Sequence, residues 1–257
     1  LSNVRLIARL DVKAPDLIKG VHLEGWRKLG NPREFAERYY RDGIDEILYL
    51  DAVASLYQRN TIVDLVRATA ENVFIPITVG GGIRSVEDAH GLLRAGADKV
   101  AVNTAALERP ELIRELAGRF GSQCVVLSIQ AKCDAQGNWE ALCDLGREHS
   151  GRDAIEWAAE GAALGAGEVL VTSIDREGTR RGFDFDLTKA ISDAVRIPTI
   201  ASGGMGSFDH IYAATSENGA DAVAMAYMLH YGQTTVPTLR AQALAAGLGV
   251  RPVNPPH

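Results

Sequence analysis

Cysteine is scarce. Cys124, Cys133 and Cys143 are the only three in 257 residues, an odd number with no CxxC spacing. They suggest neither a disulfide framework nor a zinc site, and reduced thiols in a cytoplasmic protein are the expectation. Clustered positive charge is missing too. No run of five basic residues occurs and the formal net charge is −6, which argues against nucleic acid and anionic membrane as partners. No apolar stretch approaches the roughly 18 residues needed to cross a bilayer. Leu1 to Arg9 has neither the apolar block nor the cleavage site of a secretion signal. There is no Pro/Ser-rich linker or break in composition, so residues 1–250 are expected to form one domain. Residues 251–257, with three prolines in seven, are expected to be a flexible tail.

What is present is a soluble, globular balance of 46% hydrophobic and 23% charged residues. Short β-branched runs alternate with longer segments of helical periodicity, the pattern of repeated βα units around a parallel sheet. Strands are expected near Val4–Asp11, Glu46–Asp51, Ile75–Val79, Lys99–Asn103, Cys124–Gln130, Glu168–Ser173, Thr199–Ser202 and Ala222–Ala226. Helices such as Pro32–Asp42, Thr61–Glu71, Val86–Ala95, Pro110–Phe120, Asp153–Leu164, Leu187–Val195 and Phe208–Glu217 separate them. Eight such strands at this length predict a single (β/α)8 TIM barrel.

The chain also repeats itself. The segment from Phe74 through Gly80-Gly81-Gly82 reads against that from Arg196 through Gly203-Gly204, with Gly81 and Gly203 122 positions apart. Gly96-Ala-Asp-Lys-Val-Ala-Val pairs with Gly219-Ala-Asp-Ala-Val-Ala-Met at an offset of 123, and Leu10-Asp-Val-Lys echoes Ile129-Gln-Ala-Lys at 119. A repeat at half the chain length predicts two half-barrels about a pseudo-twofold axis. It predicts two equivalent anion sites on opposite rims, suited to a substrate with a phosphate at each end. The candidates are Gly81, Gly82, Asn103 and Thr104 on one side, and Gly203, Gly204, Ala226 and Tyr227 on the other. Glycines after a strand let backbone N–H groups approach an anion closely, or merely make tight turns; finding two copies favours the first. Asp175 and Gly178, after the sixth strand, are placed to close over one site.

Asp11 ends the first strand at the rim where such barrels carry their chemistry, as a candidate general acid or base. Lys13, or Lys19 on a glycine-flanked loop, is the candidate to cover or neutralise substrate. The symmetry partner of Asp11 is Gln130, whose amide can orient a ligand but cannot exchange a proton near neutrality. On the opposite rim Arg5, Glu46, Lys99 and Glu168 all begin strands. Spacing alone reads them as an ion-pair plug in the barrel floor.

These motifs closely resemble the cyclase subunit of imidazole glycerol phosphate synthase, HisF. Leu10-Asp-Val-Lys13, Phe74-Ile-Pro-Ile-Thr-Val-Gly-Gly-Gly-Ile-Arg84, Gly96-Ala-Asp-Lys-Val100, Phe120-Gly-Ser-Gln-Cys124 and Ile200-Ala-Ser-Gly-Gly204 carry the likeness, which runs from about Val4 to Arg251. The resemblance implies that a HisH-type glutaminase subunit docks on the floor, at Asp98 and Glu71, and releases ammonia. The ammonia then passes Arg5, Glu46, Lys99 and Glu168 as a gate and reaches a bis-phosphorylated ribulosyl intermediate, the phosphorylated substrate, at the top. There it drives cleavage and ring closure to imidazole glycerol phosphate, the histidine-pathway reaction, with no cofactor or metal implied.

The chain departs from the family at Gln130, where a second catalytic aspartate is expected, at Arg9 in place of a cysteine, and at Tyr227 in place of a phosphate-contacting serine. Residues 14–25 also differ from the usual first loop. These departures resemble HisF paralogues that supply ammonia for amidino-sugar formation in surface polysaccharides such as lipopolysaccharide. Three further readings stay open: that paralogue role with weak cyclase activity, a non-catalytic ammonia conduit for a separate amidotransferase, and a HisA-like isomerase. Arg9 shares strand parity with Arg5 and Asp11 and is expected to point into the barrel.

Overall fold

The computed structural model describes residues 3–52 and 61–252. Twelve strands run through the described residues: β1 (Arg5–Lys13), β2 (Asp16–Val21), β3 (Glu24–Gly30), β4 (Glu46–Asp51), β5 (Ile77–Gly80), β6 (Lys99–Val102), β7 (Val125–Cys133), β8 (Trp139–Cys143), β9 (Glu148–Asp153), β10 (Glu168–Ser173), β11 (Thr199–Ser202) and β12 (Ala222–Met225). Eight of them are parallel neighbours in the order β1, β4, β5, β6, β7, β10, β11, β12, and β12 returns to β1. The sheet therefore closes and leaves no parallel edge. All eight expected strands are present, with ends moved by at most three residues.

The remaining four strands form two antiparallel hairpins that the sequence pattern did not suggest. β2–β3 folds back on the end of β1, and β8–β9 folds back on the end of β7. Their positions repeat the half-barrel symmetry. Asp11 faces Leu50 across β1–β4, and Gln130 faces Thr172 across β7–β10; Leu50 and Thr172 are 122 apart, the offset of the glycine turns. Asp11 and Gln130 are thus structural equivalents.

Helices pack outside. Those at Pro32–Arg41, Val86–Ala95, Ala154–Leu164 and Phe185–Ala194 start on side-chain caps from Asn31, Ser85, Asp153 and Asp184, each accepting from a backbone N–H that would otherwise lack a partner. Alternation along β1 divides its side chains cleanly. Leu6, Ala8, Leu10 and Val12 join the core between strands and helices, while Ile7 packs with Leu48, Ala101, Val126, Leu170, Ile200, Ala222 and Ala224 inside the barrel. At the C-terminal end Arg251, expected to open a flexible tail, is tied down: its Nε donates to Asp45 Oδ1 at 2.9 Å. Residues 253–257 of that tail lie outside the described residues.

Candidate functional site

At the floor, the four strand-start charges meet in a closed ring of alternating sign. Arg5 Nη1 lies 2.9 Å from Glu46 Oε2 and 3.0 Å from Glu168 Oε1, and Lys99 Nζ lies 3.2 and 3.1 Å from the same two carboxylates. Thr78 Oγ1 also donates to Glu46 at 2.6 Å, so the most deeply buried charge has three partners. Above the ring comes the apolar interior layer led by Ile7.

Outside the ring, Asp98 and Glu71 are both exposed. Asp98 has a structural task as well: its Oδ2 accepts from Ile77 N at 2.8 Å, as its equivalent Asp221 does from Thr199 N at 2.9 Å. Phe74, which the sequence did not single out, is 75% exposed near this floor and packs edge-on to Tyr40.

At the top, β1 delivers Arg9 and Asp11, and the first hairpin delivers Lys19. All three are buried. Arg9 does point inward, and its guanidinium reaches across the barrel. Nε donates to Asp11 Oδ1 at 2.9 Å, and Nη1 reaches Ser202 Oγ at 3.0 Å and Thr172 Oγ1 at 3.3 Å. Glu177 completes the cluster, 3.5 Å from Arg9 Nη1 and ion-paired with Lys19, which itself lies 3.7 Å from Asp11 Oδ2. Burial works to lower the Arg9 pKa; Asp11 and Glu177 more than offset it and leave it raised, so Arg9 stays a cation.

Glu177 was overlooked in the sequence, although it sits between Asp175 and Gly178. Of the two lysine candidates, Lys19 is in the site. Lys13 is exposed, with its ammonium 5.9 Å from the centre of the Trp26 ring. Gln130 is buried, and its Oε1 has no hydrogen-bond partner among the described residues.

A cavity of about 290 Å³ opens here. Asp11, Lys19, Gln130, Gly81, Gly82, Asn103 and Thr104 all line it, together with Asp51, Ser128 and Trp26, which the sequence did not mark. Gly81 holds φ +101°, and a Cβ there would fall 2.5 Å from the Asp51 carbonyl oxygen, so only glycine fits the turn. The other expected anion residues, Gly178, Gly203, Gly204, Ala226 and Tyr227, line a separate recess of only about 10 Å³, shared with Arg9, Lys19 and Glu177. The turns of the two halves match in backbone, and the second is bordered by the Tyr227 ring. Asp175 borders neither space; its Oδ2 accepts from Cys133 N at 2.9 Å. Among the described residues no group of three or more His, Cys, Asp or Glu side chains is placed to hold a metal ion, and no helix is long and apolar enough to cross a membrane.

The sequence pattern of the histidine biosynthesis protein family matches residues 5–235, nearly the whole barrel. The chain belongs to that family. Within it the likeness is to HisF. The imidazole glycerol phosphate synthase subunit HisF of Legionella pneumophila is 64% identical over 209 residues, which are 81% of this chain and 99% of that protein. The HisF subunit of Myxococcus xanthus is 51% identical over 247 residues, 96% of this chain and 97% of that one.

Proposed function

We propose that this HisF-like barrel is the synthase subunit that receives ammonia at its floor from a HisH-type glutaminase and uses it on a phosphorylated small molecule at its top, in the cytoplasm. The observation that carries the proposal is the stacking of three features along one axis: the ring of Arg5, Glu46, Lys99 and Glu168, the apolar layer above it, and the cavity bordered by Asp11 and Gln130. An apolar passage suits neutral ammonia and excludes ammonium, whose desolvation it cannot repay. The ring closes the floor against water when no partner is seated, and a docking subunit that drew one member aside would open it. Exposed Phe74, Glu71 and Asp98 offer that subunit an aromatic anchor with a charged rim.

At the top, Asp11 is the carboxylate positioned to accept a proton, held in place by Arg9. Gln130 offers its unpartnered Oε1 to an N–H or O–H of the ligand but cannot take up its proton. The Gly81–Gly82 turn, with Asn103 and Thr104, supports a phosphate.

The Gln130 and Arg9 geometry favours a second version of the same role, in which ammonia is delivered and ring closure is slow. That version would suit a paralogue serving amidino-sugar formation. Incubating the barrel alone with an ammonium salt and the ribulosyl intermediate tests the two versions. Rapid release of imidazole glycerol phosphate supports the histidine-pathway reaction, and slow or absent release supports the second.

A further inference from the structure

The inward face of β1 changes character in one step. Ile7 belongs to the apolar interior layer, and Arg9 follows two residues on, about 7 Å higher along the strand. From β1 the Arg9 side chain passes β12 and ends between β11 and β10, where Nη1 reaches Ser202 Oγ at 3.0 Å and Thr172 Oγ1 at 3.3 Å. Asp11 holds its Nε, and the Glu177 carboxylate lies 3.5 Å from Nη1. The whole side chain is buried. Two residues below Ser202 and Thr172 on the same inward faces are Ile200 and Leu170, both members of the apolar layer. The guanidinium therefore covers that half of the layer.

The other half is uncovered. Among the described residues of the layer, Leu50 on β4 and Ala101 on β6 are the two that border the upper cavity. Between them on β5 stands Gly80, in register with both. Its φ is not positive, so space and not backbone decides its identity. A Cβ there would fall 2.7 Å from Leu50 Cδ2 and 3.1 Å from Ala101 Cβ. Leu50 lies over the bare Gly80 and is partly exposed in an otherwise buried layer. The top of the passage is thus divided: small side chains on β5 and β6, and a charged arm over β10 to β12. That arm is not a door. Swinging it aside would strip partners from a buried cation and from two buried carboxylates, Asp11 and Glu177.

We propose that Arg9 is a positioning residue for ammonia: a fixed bar that closes the β10–β12 side of the passage and directs ammonia into the cavity at the Leu50–Ala101 edge. The reacting atom of the acceptor then lies over that edge, on the side of the Gly81–Gly82 turn, and not over the barrel axis. The proposal rests on the reading that ammonia rises through the barrel, and it adds the route by which ammonia leaves.

Single cysteines report access to the two halves of the layer without glutaminase, acceptor or turnover. Ala101→Cys marks the open side and Ile200→Cys the covered one, with Leu170→Cys as a second covered reporter. Each purified chain is treated with methyl methanethiosulfonate, and peptide mass spectrometry separates the new thiol from Cys124, Cys133 and Cys143. Ala101→Cys should react at least about tenfold faster than either covered reporter, and adding Arg9→Met should bring the covered reporters within about threefold of it. Equal rates with Arg9 in place, or covered reporters that Arg9→Met leaves protected, would overturn the proposal. The steering is read with amide-¹⁵N glutamine, the paired glutaminase, unlabelled ammonium and the ribulosyl intermediate. Arg9→Met should lower the ¹⁵N share of the product, and an unchanged share would overturn the steering role. A chain with the expected accessibility that transfers no ammonia from glutamine would leave the closure standing and remove the proposed function.

Discussion

If ring closure needs two carboxyl groups, replacing Gln130 by aspartate supplies the second, at the structural equivalent of Asp11. Gln130 is 7% exposed, and its Oε1 already sits buried without a partner among the described residues. The nearby cations are engaged elsewhere, Arg9 by Asp11 and Glu177 and Lys19 by Glu177. A carboxyl group introduced there would meet no ready counter-ion and should favour its neutral, proton-donating form. Desolvation without a new partner should cost about 1–3 kcal/mol of folding stability. In catalysis a positioned acid–base group contributes about 10²–10⁴-fold, or about 2.7–5.4 kcal/mol of barrier. Because Arg9 stays bound to Asp11, the gain should fall at the lower end, about 10²-fold. Single-turnover conversion of the ribulosyl intermediate by the barrel with saturating ammonium salt reads this directly, with Gln130→Asn as a control that restores no carboxylate. Fast turnover by the natural chain, unchanged or slowed by Gln130→Asp, would refute the reasoning.

Three further outcomes are expected. Lys99→Met breaks the floor ring on two sides, but Glu46 keeps Arg5 and Thr78, so denaturant unfolding should show a loss near the low end for a buried pair, about 3 kcal/mol; no loss would mean the ring is not a coupled unit. Phe74→Asp should weaken binding of the glutaminase by at least about 2 kcal/mol, measured by calorimetry, because an exposed aromatic anchor is lost, and unchanged affinity would place the docking face elsewhere. His230 is buried, with Nδ1 2.7 Å from the Tyr39 hydroxyl, and burial first, then Lys19, push its pKa down to about 3. Its neutral form is therefore stabilising at and above pH 7, and that contribution is lost as pH falls from about 6.5 toward 3, at about 1.4 kcal/mol per pH unit. Urea unfolding at pH 7 and pH 5 should show that drop, and His230→Asn should flatten it.

The barrel was legible because its strands are short, β-branched and buried on both faces, and because the repeat fixed their register: Glu46, Lys99 and Glu168 each begin a strand where expected. The two hairpins were not legible. β3 is exposed or half-exposed throughout and shows no alternation, and both turns lack the glycine pairs that usually mark them. His22 and Leu23, and likewise Asp144 and Leu145, take positive φ without being glycine. Asp11 and Gln130 followed from strand ends and symmetry, and Lys19 was one of two lysines offered, picked out by the glycine beside it. Glu177 did not, because its role depends on a loop folding back so that its carboxylate meets Lys19 and Arg9, and no local pattern encodes that contact.

The most direct test of ammonia transfer through the barrel uses glutamine labelled with ¹⁵N at its amide, the paired glutaminase, this chain and a phosphorylated acceptor, with unlabelled ammonium in the medium. Mass spectrometry of the acceptor product should find mostly ¹⁵N with the natural chain, and a fall toward the composition of the medium when Lys99→Met opens the floor ring. Label equal to that of the bulk medium with the natural chain, or labelled product formed equally well without it, would contradict passage of ammonia from floor to top.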